Sequence, residues 1–186
     1  YYQANWNDNP TVHINGRRYR DRAYEVTDVR VSSNAPSVEL TLNGRSLGER
    51  KDCPNRVCVW DAVRLDLGAN QVSATGRFAS GPVEDHIVWQ LGSAAHSAYR
   101  IDAGALVAAN VPGAHFGSDN FFTGGTAGTI DRGGRGQKPV RPEIAGSASR
   151  DLDATYREGT FSYRIPLDPG RYAVTLTFME PTQAAG

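Results

Sequence analysis

The sequence predicts an all-β protein, and three observations carry that expectation. Twenty glycines and ten prolines among 186 residues punctuate the chain with turns. Between the turns lie short runs in which apolar and polar residues alternate, the period of a strand with one buried face. Patterning at the helical period is scarce by comparison.

The strands follow in order from Val26 to Leu91. "DVRV" places Val29 and Val31 on one face, and "SVELTL" does the same for Val38, Leu40 and Leu42. Asn43-Gly44 then reads as a hairpin turn, because both residues tolerate positive φ. "CPNRVC" reads as a second hairpin turn, with Pro54-Asn55 between Cys53 and Cys58. Cysteines facing each other across so short a turn meet disulfide geometry; two buried thiols are the alternative. A closed loop of this size contributes about 2 kcal/mol in the chain-entropy account. "RVCVW" follows, "VRLDL" groups Val63, Leu65 and Leu67, "LGAN" turns the chain, and "QVSATG" and "HIVWQL" complete the series. About seven short strands in about 90 residues fit a β-sandwich of immunoglobulin type. Trp60 and Trp89 read as core fillers.

"GSAAHSA", residues 92–98, is small and polar and reads as a linker. A second module starts at "YRIDAGAL" and closes on "GTFSYRIPLDPGRYAVTLTF". There Phe161, Tyr163 and Ile165 alternate with polar residues, as do Tyr172, Val174, Leu176 and Phe178. Asp168-Pro169-Gly170 between them reads as a type II turn. Its glycine-rich middle, from Phe116 onward, reads as a binding loop or a mobile one. About three strands are too few to close a sandwich, so the chain reads as truncated at its C-terminal end.

Composition excludes several functions. Twenty basic and twenty acidic residues cancel, which gives no electrostatic footprint for nucleic acid or an anionic membrane. No apolar run reaches the roughly 20 residues of a spanning helix. The start, "YYQANWNDNP", lacks the pattern of a signal peptide. Cysteine spacing and the scattered His13, His86, His96 and His115 match no zinc pattern, and no cofactor motif is present.

Catalytic motifs fail on context. "GRSLG" has the spacing of a nucleophile elbow, yet Ser46 follows a hairpin turn rather than entering a helix. "GGRGQKP" lacks the ending and the helix of a phosphate loop. Glu84, Asp85, Glu143, Asp151, Asp153 and Glu158 include enough carboxylates for a glycosidase pair. Solvated loop charges account for them, and nothing local marks a buried acid beside an ionised partner. Phe116, Phe121, Phe122 and Tyr156 lie near loops, where aromatic faces either stack on sugars or pack locally.

Two stretches resemble known families. "NWNDNPTVHINGRRY" followed by "VRVSSNAPSVELTLNGRSLGER" resembles the region after the catalytic barrel in bacterial β-galactosidase-like enzymes of glycoside hydrolase family 2. There a Trp-x-x-x-Pro stretch, here Trp6 to Pro10, leads into an immunoglobulin-like domain. "YRIDAG" and "ATYREGTFSYRIPLDPGRYAVTLTFMEP" look like the malectin-type carbohydrate-binding module that follows in such enzymes. The resemblance implies an immunoglobulin-like sandwich over 1–91, a linker over 92–98 and a truncated malectin-like module over 99–186. It also implies carbohydrate contacts from Phe122 and Tyr156. The family's next aromatic pair is replaced by Thr182 and Gln183, and its late-loop aspartate has no counterpart before Gly186.

The expectation is therefore a non-catalytic accessory fragment of a β-galactosidase-like glycoside hydrolase, supporting its catalytic barrel and binding oligosaccharide weakly. The alternative is a structural spacer without ligand. Expected partners are that barrel, an oligosaccharide and a second strand edge through self-association, with no nucleic acid and no membrane. A Cys53–Cys58 disulfide together with the resemblance implies a periplasmic or extracellular location.

Overall fold

The computed structural model describes residues 1–96, 98–111, 114–130, 149 and 151–179. It is all-β and divides into two compact units, Tyr1–Ala98 and Tyr99–Gly186. Among the described residues no helix is long and apolar enough to cross a membrane.

The first unit opens with a short helix, α1 (Tyr2–Trp6), and holds eight strands: β1 (Val12–Ile14), β2 (Asp21–Arg22), β3 (Val26–Ser33), β4 (Ser37–Leu42), β5 (Arg45–Lys51), β6 (Val57–Arg64), β7 (Gly68–Phe78) and β8 (Gly81–Leu91). They form a three-stranded sheet, β1-β3-β6, and a five-stranded sheet, β2-β8-β7-β4-β5. Alternation decides what lies between them. Val29, Val31 and Trp60 point inward from the first sheet, and Val38, Leu40, Val72 and Trp89 from the second. All are buried. The two tryptophans are core residues, 2% and 1% exposed. Asn43 and Gly44 turn β4 into β5 with φ of 51° and 78°.

Two turns differ from the sequence reading. Cys53 and Cys58 form a disulfide, but the segment between them is not a hairpin. Pro54–Arg56 is a single turn of 3-10 helix, and it carries the chain from β5 in one sheet to β6 in the other. The bond therefore staples a crossover between layers. "LGAN" does not turn as a unit, since Gly68 already begins β7. The bend lies over Asp66–Gly68 and is organised by Asn70, 0% exposed. Its side chain accepts from the Asp66 amide at 2.8 Å and donates to the carbonyls of Asp66 and Gly68 at 2.7 and 3.1 Å. Leu67 falls in that bend and is 57% exposed, apart from buried Val63 and Leu65.

Within the expected linker, Ser93–His96 makes a helical turn, α2. His96 Nδ1 lies 3.1 Å from Glu25 Oε2, and Arg64 pairs with the other oxygen of the same buried carboxylate.

The second unit contains β9 (Ala109–Val111) paired with β10 (Ala114–Phe116), and β11 (Phe122–Thr129) paired with β12 (Thr155–Tyr163), all antiparallel. The closing hairpin expected from the sequence does not form. Phe161 and Tyr163 lie on β12, whose partner is β11 from the glycine-rich middle. Residues 164–179 are not in a strand. Val174, Leu176 and Phe178 are 79%, 70% and 84% exposed. Gly170 is not at positive φ, so the Asp168-Pro169-Gly170 bend is not type II. Alternation proposes a strand, but a ladder also needs a hydrogen-bonding partner, and no described residue supplies one.

Candidate functional site

The densest polar cluster of the second unit sits where the start of the module meets the β11/β12 ladder. Asp119 is its centre. Its carboxylate accepts from Arg157 Nε at 2.7 Å, from the Gly104 amide at 2.7 Å and from the Tyr163 hydroxyl at 2.7 Å. Arg157 Nη2 lies 2.7 Å from the same carboxylate, with side chains 5% and 4% exposed. Arg157 Nη1 donates to the Gly124 carbonyl at 2.9 Å, so the guanidinium is held by both strands. Charge-assisted bonds of this kind are short and directional. Burial, and then the bond to Asp119, push the Tyr163 hydroxyl up to about 12, so it stays a donor. Gly104 is required here. At φ +83°, a Cβ would lie 2.2 Å from the Tyr156 carbonyl oxygen.

Asp102 is the second buried acid, 6% exposed. Desolvation raises it to about 6; the Thr155 hydroxyl, 3.3 Å away, opposes this, while Asp119, Asp153 and Asp151 add to it. Between the ordinary 3.8 and about 6 the unfolded chain has released the proton that the folded unit keeps. Stability is therefore greatest below the ordinary value and falls as pH rises through about 6. Melting the second unit between about pH 4 and pH 7 is expected to show a decline of about 3 kcal/mol at most, levelling off above that range, and Asp102→Asn is expected to flatten it.

The cluster has the ingredients of paired-carboxylate chemistry without the access. Asp119 accepts on both oxygens, and Asp102 is 6% exposed. A general acid must reach the atom it protonates, and burial works against that for both carboxyls. Sequence reading missed both acids and Arg157. Asp119 and Arg157 are 38 residues apart, and each stands alone in its own stretch with no spacing pattern to mark it.

The carboxylates singled out from sequence divide between the units: Asp151 and Asp153 are near enough to Asp102 to raise it, whereas Glu84 and Asp85 lie on β8. Asp85 is tied to Arg17 and accepts from the Ile14 amide at 2.8 Å. Asp151 and Glu158 are exposed. Glu143 lies outside the described residues, as do "GGRGQKP", Thr182 and Gln183. Ser46 is an exposed strand serine whose hydroxyl donates to Glu39 at 2.8 Å. Among the described residues no group of three or more His, Cys, Asp or Glu is arranged to hold a metal.

Phe122 and Tyr156 are both on the β11/β12 ladder but are not brought together. Phe122 pairs with Tyr163 at one end, and Tyr156 pairs with Gly128 near the other, about 20 Å along the strand at about 3.3 Å per residue. Phe122 is 40% exposed, and the Arg157 guanidinium lies over its ring at 3.4 Å. Tyr156 is half-buried and packs across Gly128, where a Cβ would lie 2.3 Å from its ring. Phe121 stacks edge-on against Tyr99 at 5.6 Å, and Phe116 is half-buried on β10.

Residues 24–83 match a family model described as Domain of unknown function (DUF4982). A β-glucuronidase of Bacteroides fragilis is 33% identical over 76 residues, covering 40% of this chain and 11% of that protein. The relatives are glycoside hydrolases. Bacteroides uniformis β-glucuronidase 2, solved covalently bound to cyclophellitol-6-carboxylate aziridine, covers 83% of this chain and 20% of its own at 21% identity and a TM-score of 0.57. That likeness is one of fold. A B. fragilis protein assigned as a β-galactosidase is 33% identical over 49% of this chain and 14% of its own, with a TM-score of 0.46. The chain thus spans 11% of the curated relative it matches, and the matched family region, residues 24–83, lies wholly within its first unit.

Proposed function

We propose that this chain is a non-catalytic accessory part of a glycoside hydrolase that cleaves β-glucuronides, β-galactosides or related glycans. The observation that carries the reading is the match of this chain to a small share of a β-glucuronidase, combined with a second unit whose two central acids, Asp102 and Asp119, are buried. The partner is the catalytic barrel of the parent enzyme. Tyr2 and Trp6 support this, being 66% and 79% exposed on α1, apolar side chains of the kind that interfaces cover. The disulfide supports an exported, periplasmic or extracellular protein. The exposed alternating run from Tyr172 to Phe178 supports strand-mediated pairing with another chain.

The second unit is malectin-like in this reading, and it binds oligosaccharide weakly through Phe122 and Tyr156. A structural spacer is the competing reading, and the separation of those two aromatics along the ladder favours it. Titrating neutral glucose and galactose oligosaccharides while following tyrosine fluorescence separates the two. Weak saturable binding that is lost in Tyr156→Ala supports recognition. An absent response, or one unchanged in that variant, supports the spacer.

A further inference from the structure

The first unit carries a groove that its fold does not need. It is open, about 520 Å³ in volume, and lies where the edge strand β5 meets the outer face of β6 beside the disulfide turn. Val57 and Val59 form its apolar floor, Arg30, Arg50 and Lys51 supply cations, and the Tyr1 ring closes one side. Its lining contains no aspartate or glutamate.

The three cations reach this groove from two strands. Arg30 is exposed on β3, directly opposite Val59 of β6 in register. Arg50 is held in place: its Nε donates to the Val59 carbonyl at 3.2 Å, and its guanidinium lies 5.5 Å from the centre of the Trp60 ring. A guanidinium fixed in this way loses little side-chain freedom on binding an anion. Lys51 is balanced in part by Glu49 at 3.7 Å. Among the described residues no carboxylate lies within ion-pairing reach of Arg30 or Arg50. In a chain whose charges cancel overall, two arginines without a carboxylate partner over an apolar floor form a local anion-binding surface.

We infer that this groove binds an anionic oligosaccharide, a glycan bearing carboxylate or sulfate groups. The guanidinium of Arg50 and the charge of Arg30 take the anion, and the apolar face of a sugar ring lies on Val57, Val59 and Tyr1. A compact inorganic anion would use the cations and leave the floor and the ring uncovered. A neutral sugar would leave both arginines unpaired. The inference rests on the reading that the chain belongs to a glycan-cleaving protein, and it gives the first unit a ligand of its own, apart from Phe122 and Tyr156.

Calorimetric titration of the whole chain tests it with four probes: tetragalacturonate, its full methyl ester, a sulfated galactotetraose and polyphosphate. The methyl ester keeps the shape of the acid and removes its charge. Tetragalacturonate or the sulfated sugar is expected to bind about tenfold more tightly than the ester, with affinity falling as salt is raised. Which of the two wins assigns the anion. Arg30→Glu, an exposed position outside the core, is expected to abolish the preference without moving the melting temperature. Arg50→Lys, which keeps the charge and loses the fork, is expected to weaken it. Equal binding of acid and ester, equal binding of polyphosphate, no binding at all, or full binding by Arg30→Glu would each overturn the inference. None of those results bears on whether the chain is catalytic, so a failure here is distinguishable from a failure of the accessory reading.

Discussion

Asp119→Ala is expected to unfold the second unit while the first still melts as a cooperative unit. The substitution removes the acceptor for Arg157, Tyr163 and the Gly104 amide together. It leaves the Arg157 guanidinium, with a side chain 5% exposed, without its counter-ion. Deleting one partner of a buried pair costs about 3–5 kcal/mol, because the survivor is stranded in a poorly solvating environment. That is a large share of what a small unit has to spare. Asp119→Asn keeps the shape and part of the hydrogen bonding while removing the charge, so it is expected to fall between wild type and alanine. Amide hydrogen exchange reads the two units separately. Protection lost over β11 and β12 but kept over β3 to β8 is the expected pattern. A protein whose second unit stays as protected in Asp119→Ala as in wild type would show that the cluster is not what holds the ladder.

Trp60→Ala is expected to cost the first unit about 3–5 kcal/mol, the range for deleting a large aromatic from a packed core. Trp60 projects inward from β6, is 2% exposed, and its indole N–H donates at 3.1 Å to the Gly48 carbonyl on β5. It thus joins the three-stranded sheet to the edge of the five-stranded one, close to the disulfide crossover. Trp60→Phe separates the two contributions. It keeps much of the apolar volume and loses the hydrogen bond, and is expected to cost about 1–2 kcal/mol from the unpaired carbonyl and the smaller ring. Urea unfolding followed by tryptophan fluorescence, in which buried Trp89 changes environment and Trp6 is already exposed, measures both variants. A change under about 1 kcal/mol for the alanine variant would mean that the sheets are held together elsewhere.

The first unit was legible because its elements carry their own signals. In Val38, Leu40 and Leu42 the alternation names the buried face, and Asn43-Gly44 names the turn. Leu67 misled because it continues that alternation into a bend that Asn70, three residues on, organises through its side chain. The disulfide spacing suggested a hairpin, yet a short loop also suits a step from one sheet to the other, and local sequence does not say which.

The second unit was harder for physical reasons. β11 reads "FTGGTAGT", and glycines carry no side chain to display a two-residue period, so the strand looked like a loop. Tyr172 to Phe178 displays the period clearly and has no partner among the described residues. Alternation reports which face a strand would bury, not what it pairs with. Asp102, Asp119 and Arg157 were illegible because their significance lies in contacts between distant stretches, Asp102 with Thr155 across 53 residues and Asp119 with Arg157 across 38. The basic groove was hidden for the same reason, since Arg30 and Arg50 come from strands in different sheets.

The most direct measurement is hydrolysis by the purified chain of p-nitrophenyl β-glucuronide and β-galactoside across the acid-to-neutral range. An accessory part with buried carboxyls releases no nitrophenol above the buffer blank. Turnover that persists through purification and disappears in Asp102→Asn would place a working acid inside this chain and contradict the account.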